Sequence, residues 1–206
     1  QARVLWHGNF ADFPYRHGEG IFQAWAQIND AEFSFDPHWP SIKNMQADLL
    51  FENASMTIQS EAGTLFGLPL GQGVTASIPD LFKADQLLID IKAQAEAEAV
   101  TGLMLASPLS GSVGSTLEYL GVSGPVAAKV QLQIGLKAAG ARALGQVDFQ
   151  DNRLAIRAPA LPVEGLSGQL TFDNEQLDAS DLRFTAEGVA LQASLQGRQQ
   201  ANAYQV

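Results

Sequence analysis

Apolar and polar residues alternate with a period of two along most of this chain. Met45, Ala47, Leu49 and Phe51 point one way, and Gln46, Asp48 and Glu52 point the other. The clearest run is "VAAKVQLQIGL". There Val126, Ala128, Val130, Leu132, Ile134 and Leu136 share a face opposite Lys129, Gln131 and Gln133. Val74–Ala76–Ile78, Leu87–Ile89–Ile91, Leu166–Gly168–Leu170–Phe172 and Val189–Leu191–Ala193–Leu195 repeat the pattern. A period of two predicts half-buried antiparallel strands with one wet and one apolar face.

One phrase occurs three times: "LLFENASMTIQ" from Leu49, "VDFQDNRLAIR" from Val147 and "LTFDNEQLDAS" from Leu170. Each has a Phe (Phe51, Phe149, Phe172) and, two residues on, an Asn or Asp (Asn53, Asp151, Asn174). Five residues after the Phe comes an aliphatic (Met56, Leu154, Leu177). Asn and Asp tolerate left-handed backbone, so the phrase predicts a hairpin whose Phe and aliphatic meet across the strands. The uneven spacing of the copies excludes a strict solenoid.

Residues 96–120 break the alternation. "AQAEAEAV" is rich in helix formers, Pro108 interrupts what precedes it, Ser110 or Ser112 suits a helix cap, and Gly121 suits a stop. The expectation is a helical insertion that plugs one end of the sheet or packs across it. The first forty residues carry nine aromatics, including Trp6, Phe10, Phe13, Phe22 and Phe35. They predict strands over "GIFQAWAQI" and "AEFSFDP" and a hairpin that covers one edge.

Composition narrows the function. A net charge of −10 over 206 residues argues against nucleic acid, which is bound by neutralising phosphates, and against an anionic lipid surface. The absence of cysteine removes disulfides, thiolate–zinc sites and thiol catalysis. No apolar run is long enough to cross a membrane as a helix. The chain reads as a piece of a longer protein, with any anchor elsewhere. His7, His17 and His38 are too few and scattered for a metal site. Asp12, Asp30, Asp36, Asp80 and Asp90 are the carboxylates an envelope hydrolase would need, with no nucleophile–base arrangement beside them. What remains is an apolar face, which is either covered as an ordinary core or open to a ligand.

"GNFADFPY" (Gly8–Tyr15) and "GIFQAWAQINDAEFSFDPHWPSIKNMQADLLFENASM" (Gly20–Met56) closely resemble the YhdP family of AsmA-like proteins. "VTASIPDL", "SPL", "LGVSGPVAAKVQLQIGL", "GQVDFQDNRLAI" and "LSGQLTF" follow in the same order, with "HGNFADFPY" and "FDPHWP" weighing most. The resemblance implies a periplasmic segment of a very large protein of the Gram-negative envelope, anchored in the inner membrane elsewhere and related to TamB. The implied activity is non-enzymatic and needs no cofactor: phospholipids pass between the two membranes along a taco-shaped groove.

The expected fold is therefore mainly β: a long, strongly curved antiparallel sheet forming a single segment over residues 1–206, with the insertion at 96–120. Acyl chains would lie on Leu49, Phe51, Met56, Ile58, Val130, Leu132, Ile134, Phe149, Ile156, Leu170 and Phe172. The expected partners are phospholipid acyl chains, neighbouring segments of the same protein and envelope proteins. The rival readings are a non-catalytic scaffold for outer-membrane protein assembly, with a self-filled core, and an envelope hydrolase.

Overall fold

The computed structural model describes residues 1–34, 37–108, 110–137, 140–157, 160–174, 176–200 and 203–205. The strands are β1 (Ala2–His7), β2 (Ile21–Phe33), β3 (Ile42–Glu52), β4 (Ser55–Leu65), β5 (Leu68–Pro69), β6 (Val74–Ile78) and β7 (Gln86–Glu96). Helix α1 (Ala97–Leu105), a π-helical turn (Ser110–Gly114) and α2 (Ser115–Leu120) follow. The chain then resumes with β8 (Val122–Ser123), β9 (Pro125–Gly135), β10 (Ala141–Arg157), β11 (Ala160–Asp173), β12 (Gln176–Ala186), β13 (Val189–Gln200) and β14 (Ala203–Gln205). Among the described residues these make one sheet in the order β1-β2-β3-β4-β6-β7-β9-β10-β11-β12-β13-β14. The short β5 and β8 pair with β4 and β10. Twelve strands on this path at about 4.8 Å spacing span roughly 53 Å.

Every pairing is antiparallel and nearly every neighbour is next in the chain, so each connection lies on one of two rims. The first rim carries the β1–β2, β3–β4, β6–β7, β9–β10 and β11–β12 connections. The second carries β2–β3, β4–β6, the helical insertion between β7 and β9, β10–β11 and β12–β13.

Two of the three repeated phrases are hairpin turns. Asn53 and Asn174 adopt φ of 51° and 52°, and Phe51 pairs with Met56 as Phe172 pairs with Leu177. Each Asn does a second job. Asn53 N–H donates to the Phe22 carbonyl (2.8 Å) while its Oδ1 accepts from the Phe22 N–H (2.8 Å). Asn174 does the same with Ala143, at 2.7 Å and 2.8 Å. A turn residue thus caps the neighbouring strand outside its own hairpin.

The third phrase corrects the hairpin expectation. β10 runs unbroken through it, and Asp151 (φ 59°) sits at a bulge instead. The residue after it supplies the reason. Asn152, 1% exposed, accepts from Gln150 N–H (2.8 Å) and donates to the Ser123 and Pro125 carbonyls (3.1 and 2.9 Å). It ties β10 to β8 and β9 where a turn would have broken the strand.

The helix begins at Ala97, one residue after the expected start of the insertion and four after its helix formers begin. "AQAE" (Ala93–Glu96) belongs to β7, because Ala93 and Ala95 pair with Ala128 and Val126. Ladder pairing overrides local propensity here. Gly121 ends α2 with φ 54°, its N–H donating to the Leu117 carbonyl. The two expected strands over "GIFQAWAQI" and "AEFSFDP" are one strand, β2, from Ile21 to Phe33; Phe35 and Asp36 lie outside the described residues.

Candidate functional site

Directly opposed residues of an antiparallel pair share a face, so the register traces that face across the sheet. One row runs Ala26–Leu49–Ile58–Ala76–Ile89–Leu132–Ala143, over β2, β3, β4, β6, β7, β9 and β10. The next runs Val74–Ile91–Val130–Gly145–Phe172–Leu177. A Cβ built on Gly145 would overlap the Phe172 ring, so glycine there lets the aromatic lie flat over the ladder. These rows carry no charged side chain.

The face is not closed over. Among the described residues only ten hydrophobics are buried, four of them alanines. All eleven predicted groove residues are half-buried. The accessible surface is 12414 Å², against about 9300 Å² for a compact protein of this mass. A sandwich or a sheet fully covered by helices would not leave this excess.

Two irregular pieces stand on this face. On the second rim, α1 and α2 pack over β9 and β10. Ala97, Val122 and Val126 are buried there, with Val100, Leu120, Val147, Phe149 and Leu154 against them. Phe149 and Leu154 are therefore half-buried residues packed against the small core that the insertion completes. Leu49, Ile58 and Leu132 lie on the first of these rows, and Val130 and Phe172 on the second; Phe51 opposes Met56 and Ile134 opposes Leu87 nearer the first rim, while Leu170 opposes Val147 beside the helices. Ile156 lies beyond the β10 bulge, away from them.

On the first rim, the loop between β1 and β2 builds an aromatic cluster. Trp6 lies 4.5 Å from Phe10, 5.2 Å from Phe13 and 4.9 Å from Phe22, centroid to centroid. Trp6 Nε1 donates to the Tyr15 hydroxyl (2.7 Å), and Tyr15 is 2% exposed. The Phe13–Pro14 bond is cis. Phe13 also meets Phe82 of the β6–β7 turn at 5.7 Å.

Arg16 clamps that turn, donating to both oxygens of Asp80 at 2.6 and 3.1 Å. These bonds, with lesser help from the Lys83 and Phe82 N–H groups, hold the Asp80 carboxyl at about 2 against an ordinary 3.8. The folded pKa is depressed, so this clamp contributes fully above about pH 4 and is lost as pH falls toward 2. Asp80→Asn is expected to erase that acid-dependent part. The melting temperatures of Asp80→Asn and the parent should then converge between pH 6 and pH 2.

The opposite face is wet and laced with amide–carboxylate bonds: Gln131 to Asp90 (2.8 Å), Gln169 to Asp148 (3.0 Å) and Gln192 to Asp181 (2.8 Å). Lys92 and Lys129 are directly opposed on it, a like-charge pair that costs stability. Lys129→Glu is expected to raise stability by roughly 0.2–1 kcal/mol, less at high salt. A urea midpoint that falls would contradict this.

The carboxylates a hydrolase would need are scattered. Asp80 is held by Arg16, Asp30 sits at a bulge in β2 with φ 53°, Asp90 serves Gln131 on the wet face, and Asp12 lies in the 3-10 turn Phe10–Asp12. Asp36 lies outside the described residues. No group of three or more His, Cys, Asp or Glu that could hold a metal occurs among the described residues. The best-formed depressions are open ones of about 490 and 560 Å³, lined by wet-face and rim residues such as Lys92, Lys129, Gln133 and Arg142. Among the described residues no helix is long and apolar enough to cross a membrane.

The alternation exposed the apolar rows. Its break at 96–120 marked the insertion, but where the two pieces sit on the rows depends on contacts such as Arg16–Asp80, 64 residues apart. Asn152 was legible only as a polar residue in a turn-like phrase.

No solved structure matches the chain. It is 32% identical over 205 residues to the "Intermembrane phospholipid transporter YhdP" of Escherichia coli (strain K12), covering 100% of this chain and 16% of that relative. The family model described as "YhdP protein" matches residues 1–206. The chain belongs to the YhdP family.

Proposed function

We propose that this chain is a periplasmic length of a phospholipid conduit between the inner and outer membranes, with acyl chains passing along its apolar face. The observation that carries the reading is the continuous, charge-free, half-exposed row from Ala26 to Ala143. An acyl chain needs an apolar track, while its headgroup keeps its water at the open side. The similarity to a relative named as an intermembrane phospholipid transporter supports the choice of ligand.

A trough is the shape this function asks for. Left-handed Asp30, Asn44 and Asp151 sit at register shifts in β2, β3 and β10, and β11 and β12 are shifted as well. A bulge bends its strand and sharpens its twist, so a series of bulges in the half of the sheet nearer the second rim favours a curved cross-section. Roughly 53 Å of sheet barely exceeds one bilayer of about 40–45 Å, so this piece is one length of a longer track. The edges β1 and β14 would be continued by neighbouring segments of the same protein, which would also protect them from aggregation. The chain covers 16% of the relative it matches, so it would be one stretch of a much longer protein.

The test is lipid extraction. The purified protein containing this segment is expected to carry phospholipid, detected by mass spectrometry of the organic extract. Protein that is folded and free of phospholipid would favour the scaffold reading.

A further inference from the structure

The helical insertion and the aromatic loop stand on one face of the sheet at opposite rims, and the lane between them has a defined floor. At the second rim, Ala97, Val122 and Val126 form a buried cluster against which Val100, Leu120, Val147 and Phe149 pack, partly buried. The Phe66 ring at the β4–β5 turn lies against Gly102 of α1, 3.2 Å from where a Cβ would be. The insertion therefore borders the face from β4 to β10. At the first rim, Trp6, Phe10 and Phe13 rise over β1 and β2. The Phe13–Phe82 contact and the Arg16–Asp80 clamp carry that border to the start of β7.

Between the borders each central strand offers three inward positions: Leu87, Ile89 and Ile91 on β7, faced by Ile134, Leu132 and Val130 on β9. Three alternate residues span about 13 Å. We infer that the two insertions are the side walls of the lipid track, so that acyl chains run over Ile58, Ile89 and Leu132 and never beneath the helices at Val126, Val147 and Phe149. The inference rests on the conduit reading and adds where on the face the lipid lies.

The test places a photo-crosslinking residue, one position at a time, in the full-length protein in cells. The positions are Ile89 and Leu132 in the lane, Val126 and Phe149 under the helices, and Asp90 and Gln131 on the wet face of the same strands. After irradiation, phospholipid attached to the purified protein is expected to be at least tenfold greater at the lane positions than at either other pair. Equal signal at lane and roofed positions would overturn the walls and leave the conduit standing. Signal no greater in the lane than on the wet face would overturn the conduit itself. A bulky probe at Val126 can displace the helices, so single cysteines provide a second reading. This chain has none; in a full-length protein whose other cysteines are replaced, Leu132→Cys and Val147→Cys are treated with a thiol-reactive acyl probe. Labelling of Leu132→Cys at least tenfold over Val147→Cys is expected, and equal labelling overturns the walls.

Discussion

Asn152→Leu is expected to lower the melting temperature by about 6–12 °C. The side chain is 1% exposed and makes three hydrogen bonds to backbone groups: Gln150 N–H, Ser123 carbonyl and Pro125 carbonyl. Leucine has the same branched skeleton and is somewhat larger, so no cavity forms. The cost comes from a buried donor and two buried acceptors left without partners, at about 1 kcal/mol or more each and about 3 kcal/mol together. For a domain of this size, 1 kcal/mol moves the midpoint by about 2–4 °C. Asn152→Asp keeps the acceptor for Gln150 but sets a carboxylate against two carbonyls, and should also be destabilising. Calorimetry on both variants checks this, and a shift below about 2 °C for Asn152→Leu would show that the bulge holds without its side chain. Hydrogen exchange should place the loosening at β8 and the start of β9.

Leu132→Asp is expected to cut phospholipid transport at least tenfold while the sheet stays folded. Leu132 is half-buried in the middle of the lane, opposed by Ile89 and Ala143. An aspartate there keeps access to water, so the strand tolerates it. A passing acyl chain cannot cover a carboxylate without stripping its hydration, and an unpaired charge loses far more than 1.4 kcal/mol on entering an apolar environment. That energy alone is a factor of ten. Gln133→Asp is the control, because it adds the same charge one residue along on the wet face, opposite Arg142. The readout is phospholipid carried by the purified protein, together with outer-membrane lipid supply in cells. If Leu132→Asp carries as much lipid as Gln133→Asp, with equal circular dichroism, the acyl chains do not use this row. The scaffold reading would then be preferred.

How much of this was legible beforehand differs from residue to residue. Val130, Leu132 and Ile134 announce their shared face because side-chain direction in a strand alternates by geometry alone. Asn53 and Asn174 announce their turns because few residues accept left-handed backbone. Asp151 has the same preference but uses it at a bulge, and "QDN" resembles "DNE" too closely for local chemistry to separate the outcomes. The decision lies with Asn152 and the carbonyls of Ser123 and Pro125, which are 29 and 27 residues away in the chain.

By itself, then, the sequence determined the strand character of most of the chain, the one-sided hydrophobicity, the absence of thiol chemistry, the site of the helical insertion and the family resemblance. All of these follow from local backbone preference, side-chain alternation, composition or motif. Which apolar residues became core and which stayed uncovered was decided only in three dimensions. Phe149 and Leu132 are equally apolar members of similar strands. Phe149 packs against the core completed by the insertion between β7 and β9, while Leu132 lies outside that cluster. Covering depends on where distant chain lands on the sheet, and no periodicity within a strand records that.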